Sequence, residues 1–257
     1  METDYILLVY QEEKENNLLL DWIKRYLIAI GAEKGEVSFW KTGDDLGKHL
    51  KDYKKYSLFL IIGGSLEEYD TVKNALSKEL DLLLMEDRLA LEYVRASYRR
   101  LYYEDPSFRD KKIDIERIAT IPLGFEPLDN AIGLLPGLVL EEDDSVIAYL
   151  PGEEKEIRLM FADKLVHYLR DITKMSFSVK LAVASTYAEL ERVNNKLTEI
   201  SKAYKWAFVE GGIRLNSKSK TLPVTISIFA DKPDLLYERM EKIAGEIGIK
   251  LEESDEI

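Results

Sequence analysis

The residues of this chain that could do chemistry gather in four short stretches: TGDDLG (residues 42–47), GGSLEEYDT (63–71), PLDNAIGLLPG (127–137) and LPGEEKEI (150–157). In the second, Gly63 and Gly64 let the backbone turn tightly and present its N–H groups. A helix following them would add partial positive charge, a combination suited to phosphate or carboxylate. Glu67 and Glu68 work against that use, because they repel phosphate unless a divalent cation bridges them. In the first stretch, one of the adjacent carboxylates Asp44 and Asp45 serves most simply as a helix N-cap. The other is then left for Mg2+ or a substrate hydroxyl. The third and fourth stretches, each taken singly, are ordinary proline and glycine turns.

Composition narrows the chemistry further. The chain has 257 residues, 46% of them hydrophobic, which suffices for one large domain and a smaller one. A formal net charge of -12 argues against a general binder of nucleic acid or anionic membrane, which needs a local excess of Lys and Arg. Cysteine is absent, so disulfides, thiolate metal sites and cysteine nucleophiles are excluded. His49 and His167 are the only imidazoles, and neither has a second ligand in an HExxH-like pattern, so both read as surface or helix-packing residues. No stretch approaches the roughly 20 apolar residues of a spanning helix, and the METDY start lacks a basic signal region, so a cytoplasmic protein is expected. The high charged fraction, 33%, is shared with many thermophile proteins.

The elements that must position these stretches alternate between strand and helix patterns. YILLVY (5–10), VSFW (37–40) and SLFLII (57–62) read as strands, the last buried on both faces. Between them fall a helix carrying Trp22, Ile23, Tyr26 and Leu27 at helical spacing up to Gly31, and a second opened by Asp44 or Asp45. Helices are expected over 71–78 and 86–103, then a hairpin pairing 138–140 with 146–150. A long amphipathic helix follows, with Ile157, Met160, Phe161, Leu165 and Leu169 on one face. This is the pattern of an α/β domain with a doubly wound, mostly parallel sheet. From Ser176 the order becomes strand-helix-strand-strand-helix-strand, a smaller α+β unit of the ferredoxin-like split βαβ kind. Residues 1–172 and 173–257 are the expected domains. In an open α/β sheet ligands sit beyond the carboxyl ends of the strands, where the chemistry-bearing loops fall.

Taken in order, TGDDL, IIGGSLEEYD, PLDNAIGLLPG and YLPGEEKEIRLMF resemble the signatures of the MoaB/Mog molybdopterin-binding fold, in the version found in competence/damage-inducible CinA proteins. The resemblance covers roughly residues 5–172 and is strongest at Asn130, Gly133, Pro136 and Gly137, then Leu150, Pro151, Gly152 and Glu156. The second domain is similar in position and pattern to the KH-like or ferredoxin-like domain that follows this fold in CinA proteins. The amidohydrolase domain of full-length CinA proteins has no room in this sequence.

The resemblance implies a domain that binds molybdopterin or an adenine nucleotide, with Mg2+. Family members adenylate molybdopterin or hydrolyse ADP-ribose-type pyrophosphates. Carried over, Gly63, Gly64 and Ser65 line an anion site, Asp44 and Asp70 act in catalysis, and Asp44 and Asp45 hold metal. Asn130, Gly133, Pro136, Gly137, Pro151, Gly152 and Glu156 form a facing wall whose backbone groups meet the ligand. The expected partner is a small pterin or nucleotide, with no nucleic acid and no membrane, in a homo-oligomer, dimer or trimer. The chain departs from the family loop in carrying Leu66 where a third glycine is usual, Thr71 where an aspartate is usual, with Asp70 one residue early, and Glu67 in place of a neutral residue. A leucine there disfavours positive φ and close ligand approach. A non-catalytic assembly or regulatory module is therefore the alternative to a pterin-binding protein or a pyrophosphatase. YVRASYRRLYY (93–103) reads as an amphipathic helix, and LNSKSKT (215–221) as a basic hairpin tip without the GxxG spacing of RNA-binding KH loops.

Overall fold

Strand β3 (Leu58–Ile62) is buried at every position, which requires covering layers on both faces of the sheet it belongs to. The computed structural model describes residues 4–11, 17–186, 190–211 and 221–248. They divide into two units, Met1–Leu19 with Glu33–Ile172, and Leu20–Ala32 with Thr173–Ile257.

In the first unit, β3 lies between β1 (Asp4–Tyr10) and β8 (Ser145–Leu150), and β2 (Lys34–Trp40) flanks β1. These four strands run parallel, and β7 (Gly137–Glu142) and β6 (Glu126–Leu128) extend the sheet antiparallel beyond β8. The order β2-β1-β3-β8-β7-β6 is that of the expected doubly wound, mostly parallel sheet. Pro127 sits in β6, at the sheet edge, where its missing N–H costs no ladder bond. Alternation with period two splits the strand residues between the faces. Ile6, Leu8, Phe59, Ile61, Ile147 and Tyr149 point into one core with Tyr69, Val72 and Leu76 of α3 (Leu66–Glu79), Ala90 and Val94 of α4 (Arg88–Glu104), and Ile118 of α5 (Ile115–Ala119). Leu7, Leu60, Ala148 and Leu150 alternate with these and are equally buried.

Several elements differ from the sequence expectation for local reasons. Helix α3 starts at Leu66, five residues before the expected position, because the Glu68 carboxylate accepts the Ser65 backbone N–H and so caps the helix's first turn. The helix expected after Asp44 shortens to α2 (Gly47–Leu50). The long helix near the end of the unit is α6 (Glu154–Met160) and α7 (Val166–Thr173), joined by a π-helical turn over Phe161–Leu165. A two-stranded ribbon, β4 (Leu84–Glu86) against β5 (Thr120–Pro122), has strands too short to show periodicity.

The second unit is an antiparallel sheet in the order β10-β11-β9, formed by β9 (Phe177–Thr186), β10 (Ala207–Gly211) and β11 (Thr221–Ala230), with helices α8 (Leu190–Ala203) and α9 (Pro233–Ile247). Leu197, Ile200, Ile226, Ile228 and Ile243 form its core. Helix α1 (Asn17–Ala29) belongs to this unit from Leu20 onward. Its Trp22 packs edge-on against Phe208 at 5.3 Å and donates Nε1–H to Glu210 at 3.1 Å. These are the first three strands and both helices of the expected split βαβ unit. Its expected last strand, 249–253, and most of the 215–221 tip lie outside the described residues.

Because β3 is central, Ile61→Ala is expected to lower the unfolding free energy by about 2–5 kcal/mol through the cavity it leaves. Leu123→Ser, at a half-exposed position beside the ribbon, is expected to stay within about 0.5 kcal/mol. Urea unfolding of the two variants checks the difference.

Candidate functional site

Beyond the carboxyl ends of β1, β3 and β8 the first unit opens into a cleft of about 700 Å3, and the sheet order reverses direction there, between β1 and β3. Its polar rim comes from Tyr10, Gly63, Gly64, Ser65, Glu68, Gly152, Glu153, Glu154 and Glu156. Its apolar wall comes from Leu66, Phe108, Ile113, Leu134 and Leu135, and Lys111 lies over the Phe108 ring at 5.5 Å.

Glu68 dominates the glycine loop. It occupies the third position of α3 and is 6% exposed. One carboxylate oxygen accepts the Ser65 N–H at 2.9 Å and the Ser65 hydroxyl at 2.5 Å. The other accepts the Thr42 hydroxyl at 2.9 Å and the Tyr10 hydroxyl at 3.2 Å. Burial by itself would push this carboxyl up, but the donors from Ser65 and Thr42 outweigh it and hold it at about 2, so the group is charged at any physiological pH. A Cβ on Gly64, whose φ is +97°, would lie 2.7 Å from the Glu68 Cβ. The bare Cα thus makes room for the chain's own carboxylate. Below the loop, Tyr149 and Tyr69 stack at 5.6 Å, and burial pushes both phenols up, so they stay neutral.

The loop after β8 is built the same way. Gly152 donates its N–H to Gly64 O at 2.9 Å, and Gly63 donates to Leu150 O at 2.8 Å, which ties the two strand-end loops together. Glu156, at the third position of α6, lies against two glycine backbones. A Cβ on Gly152 would be 2.5 Å from its Oε2, and one on Gly133 would be 1.7 Å from the same atom. Asn130, 2% exposed, donates Nδ2–H to Glu156 Oε2 at 2.7 Å and to Leu135 O at 2.9 Å, and accepts the Gly133 N–H at 2.8 Å. Arg100 takes the carbonyls of Ile132 and Gly133 at 3.0 and 3.1 Å.

The expected facing wall is thus present, but its surface differs from the expectation. The backbone groups of residues 130–135 just named are engaged inside the protein, and Leu134 and Leu135 are what the loop offers to the cleft. Of the residues singled out in the sequence, Gly63, Gly64, Ser65, Gly152 and Glu156 line the cleft. Asn130, Gly133, Pro136, Gly137 and Pro151 do not line it and are buried.

Asp44, Asp45 and Asp70 do not line it either. Asp44 accepts the Lys41 N–H at 2.9 Å and Asp45 the Gly47 N–H at 3.2 Å, so each closes a local turn. Among the described residues no group of three His, Cys, Asp or Glu side chains is placed to hold a metal ion. Asp70 pairs with Lys73 at 3.1 Å and with Arg117. Lys73, 3% exposed, also donates to Arg117 O at 2.7 Å, and burial pulls its ammonium below the usual lysine range. Sequence reasoning missed Tyr10, Phe108 and Lys111, and it gave no role to Thr42, Leu134 and Leu135 within their motif stretches. The role of Glu68 as a cap carried a legible signal, the Ser-x-x-Glu spacing from Ser65.

Two measurements follow from this geometry. Gly133→Ala is expected to destabilise the protein by about 1–3 kcal/mol through overlap with Glu156 and Asn130. In a double-mutant cycle with Glu156→Ala the combined loss should fall short of the sum. Glu68 has a folded pKa below its unfolded one, so its contribution is complete above the unfolded value, near 4.5, and disappears as pH falls through about 2. The stability gap between wild type and Glu68→Gln, measured by denaturant unfolding, should therefore be widest near pH 7 and close between pH 5 and 2.

No family model matches the chain. In sequence it is 27% identical over 242 residues to Protein TK1472 of Thermococcus kodakarensis, covering 91% of this chain and 86% of that protein. It is 31% identical over 150 residues to a putative competence-damage inducible protein of Natranaerobius thermophilus, covering 56% of this chain and 35% of that one. It also matches a CinA-like protein of Thermotoga maritima, at 30% identity over 125 residues, 47% of this chain and 29% of that protein. The chain thus spans less than half the length of the CinA-like relatives it matches. Among solved structures, CinA of Thermoplasma acidophilum superposes with a TM-score of 0.49 at 22% identity, over 66% of this chain and 98% of that one. The Mog protein of Mycobacterium ulcerans gives 0.39 at 15%, over 67% and 97%. No helix among the described residues is long and apolar enough to cross a membrane. In sequence the chain is thus similar to proteins named as competence-damage inducible or CinA-like.

Proposed function

We propose that the first unit is a small-ligand-binding module whose cleft takes the heterocycle of a pterin or nucleotide, and that it works without the transfer chemistry expected of Asp44 and Asp70. The observation that carries this reading is the cleft at the reversal point of the sheet. At about 700 Å3 it has the size of a ligand pocket, and its lining combines apolar side chains with a few polar groups. Phe108, Leu134 and Leu135 suit a planar ring, and the carboxylates of the rim can accept N–H groups from its polar edge. Support for the second half of the reading is that Asp70 neutralises the buried Lys73 and that Asp44 closes an exposed turn. Neither carboxylate borders the cleft.

The resemblance of the four motif stretches to molybdopterin-binding proteins supports the same ligand class. Four glutamates and one lysine line the cleft, so a phosphorylated ligand meets net repulsion there.

Thermal unfolding of the full chain against molybdopterin, adenosine, ATP, ADP and ADP-ribose, each with and without Mg2+, tests the proposal. A ligand at about 100 times its Kd adds roughly 2.7 kcal/mol to native stability. At least one heterocycle is expected to raise the midpoint, phosphorylated ones only with Mg2+, and Leu135→Glu should abolish the rise. No shift with any of them at millimolar concentration overturns the reading in favour of a protein-binding module. A metal-dependent turnover lost in Asp44→Asn or Asp70→Asn overturns its second half.

A further inference from the structure

A glycine turn followed by a helix N-terminus is a place where proteins hold anions, because unpaired N–H groups and the helix dipole converge on it. In this chain that place already has an anion. The Glu68 side chain rises from the first turn of α3, lies against the bare Cα of Gly64, and ends in a carboxylate that receives the Ser65 amide and hydroxyl together with the hydroxyls of Thr42 and Tyr10. These donors come from the β3–α3 turn, from the segment after β2 and from the end of β1, so the arrangement is more than a capping box within one helix. The Tyr10 and Thr42 hydroxyl oxygens also lie 2.8 Å apart, so one of them can donate to the other in place of the carboxylate.

We propose that Glu68 is the resident anion of the glycine loop, and that it is the residue which sets the charge preference of the adjoining cleft by barring phosphate from the loop. The inference rests on the cleft being a ligand site, and it specifies the ligand: a heterocycle whose phosphate, where it has one, lies away from residues 63–65. A phosphate reaching this loop would have to displace a buried carboxylate from four donors and leave that carboxylate unpaired, which is costly for a charged group. The low pKa closes the other route, since the group does not vacate its donors by protonation near neutral pH.

Inorganic phosphate is the probe, because it reads the loop and not the heterocycle pocket. Titrated calorimetrically into the full chain, it should bind Glu68→Ala at least about tenfold more tightly than wild type, as charge-assisted hydrogen bonds are freed for it. Glu68→Gln keeps the side chain's volume and its Thr42 contact, and serves as the second variant should Glu68→Ala fail to fold. It should show a smaller gain in the same direction. Circular dichroism and the unfolding midpoint establish which variants are folded. Wild type binding phosphate as tightly as the folded variants overturns the proposal, and so does a folded Glu68→Ala with no gain. The two readings fail separately. A wild type that binds no heterocycle defeats the cleft reading, whereas the phosphate comparison decides the role of Glu68 alone.

Discussion

The hydrogen bond of 2.7 Å from Asn130 Nδ2 to Glu156 Oε2 joins two parts of the chain that would otherwise meet only through the sheet. On one side is the connection between the edge strand β6 and β7, and on the other the first turn of α6, just past β8. The carboxylate lies so close to Gly133 and Gly152 that neither position has room for a Cβ. Gly152 in turn donates its N–H to the loop after β3, so the half-buried Glu156 carboxylate and the Gly152 amide together tie the three loops around the cleft. Its geometry explains why this region needs two glycines and an asparagine: the glycines let it approach and the asparagine pairs it.

The two strand-to-helix junctions around the cleft repeat one device. In each, a glycine at φ near +90° is followed four residues later by a glutamate at the third helical position, Gly64 with Glu68 and Gly152 with Glu156. A helix start draws a negative charge into its first turn, and the absence of a Cβ on the glycine lets the glutamate stem fold back beneath the turn. The partners differ and so does the result. Glu156 faces an amide donor and links two loops, while Glu68 faces hydroxyls and the cap amide and fills the loop it belongs to.

Much of the fold was legible in the sequence because its strands are apolar runs broken by polar turns. Tyr5–Tyr10 and Ser57–Ile62 lie within a residue of the observed strands, and the hairpin around Asp143 and Asp144 within two. Strands β4, β5 and β6 were not legible, since three residues carry no periodicity and Pro127 argues against a strand unless it lies at an edge. The site was legible as a set of loops but not as a set of roles. Gly64, Gly133 and Gly152 stand where the motifs place them, yet what lies against them is a glutamate side chain from four or more residues away, which spacing alone does not disclose. Phe108 and Lys111 reach the cleft from the chain between α4 and α5, a segment with no motif.

Charge then decides what such a cleft can hold. In a loop that is open to an anion, the ligand's phosphate supplies both the negative charge and the acceptors that satisfy the loop's donors. Once Glu68 supplies them, the donors are satisfied before any ligand arrives, and the remaining carboxylates, Glu153, Glu154 and Glu156, face the same space with Lys111 as the one cation among the lining residues. Attraction has to come from elsewhere, and the surface available is the apolar wall of Leu66, Phe108, Ile113, Leu134 and Leu135. Binding through that wall is driven by burial of apolar area and by shape. Through a single helix-start residue the source of affinity thus becomes packing rather than electrostatics, within the frame that the sheet and the loop connections set.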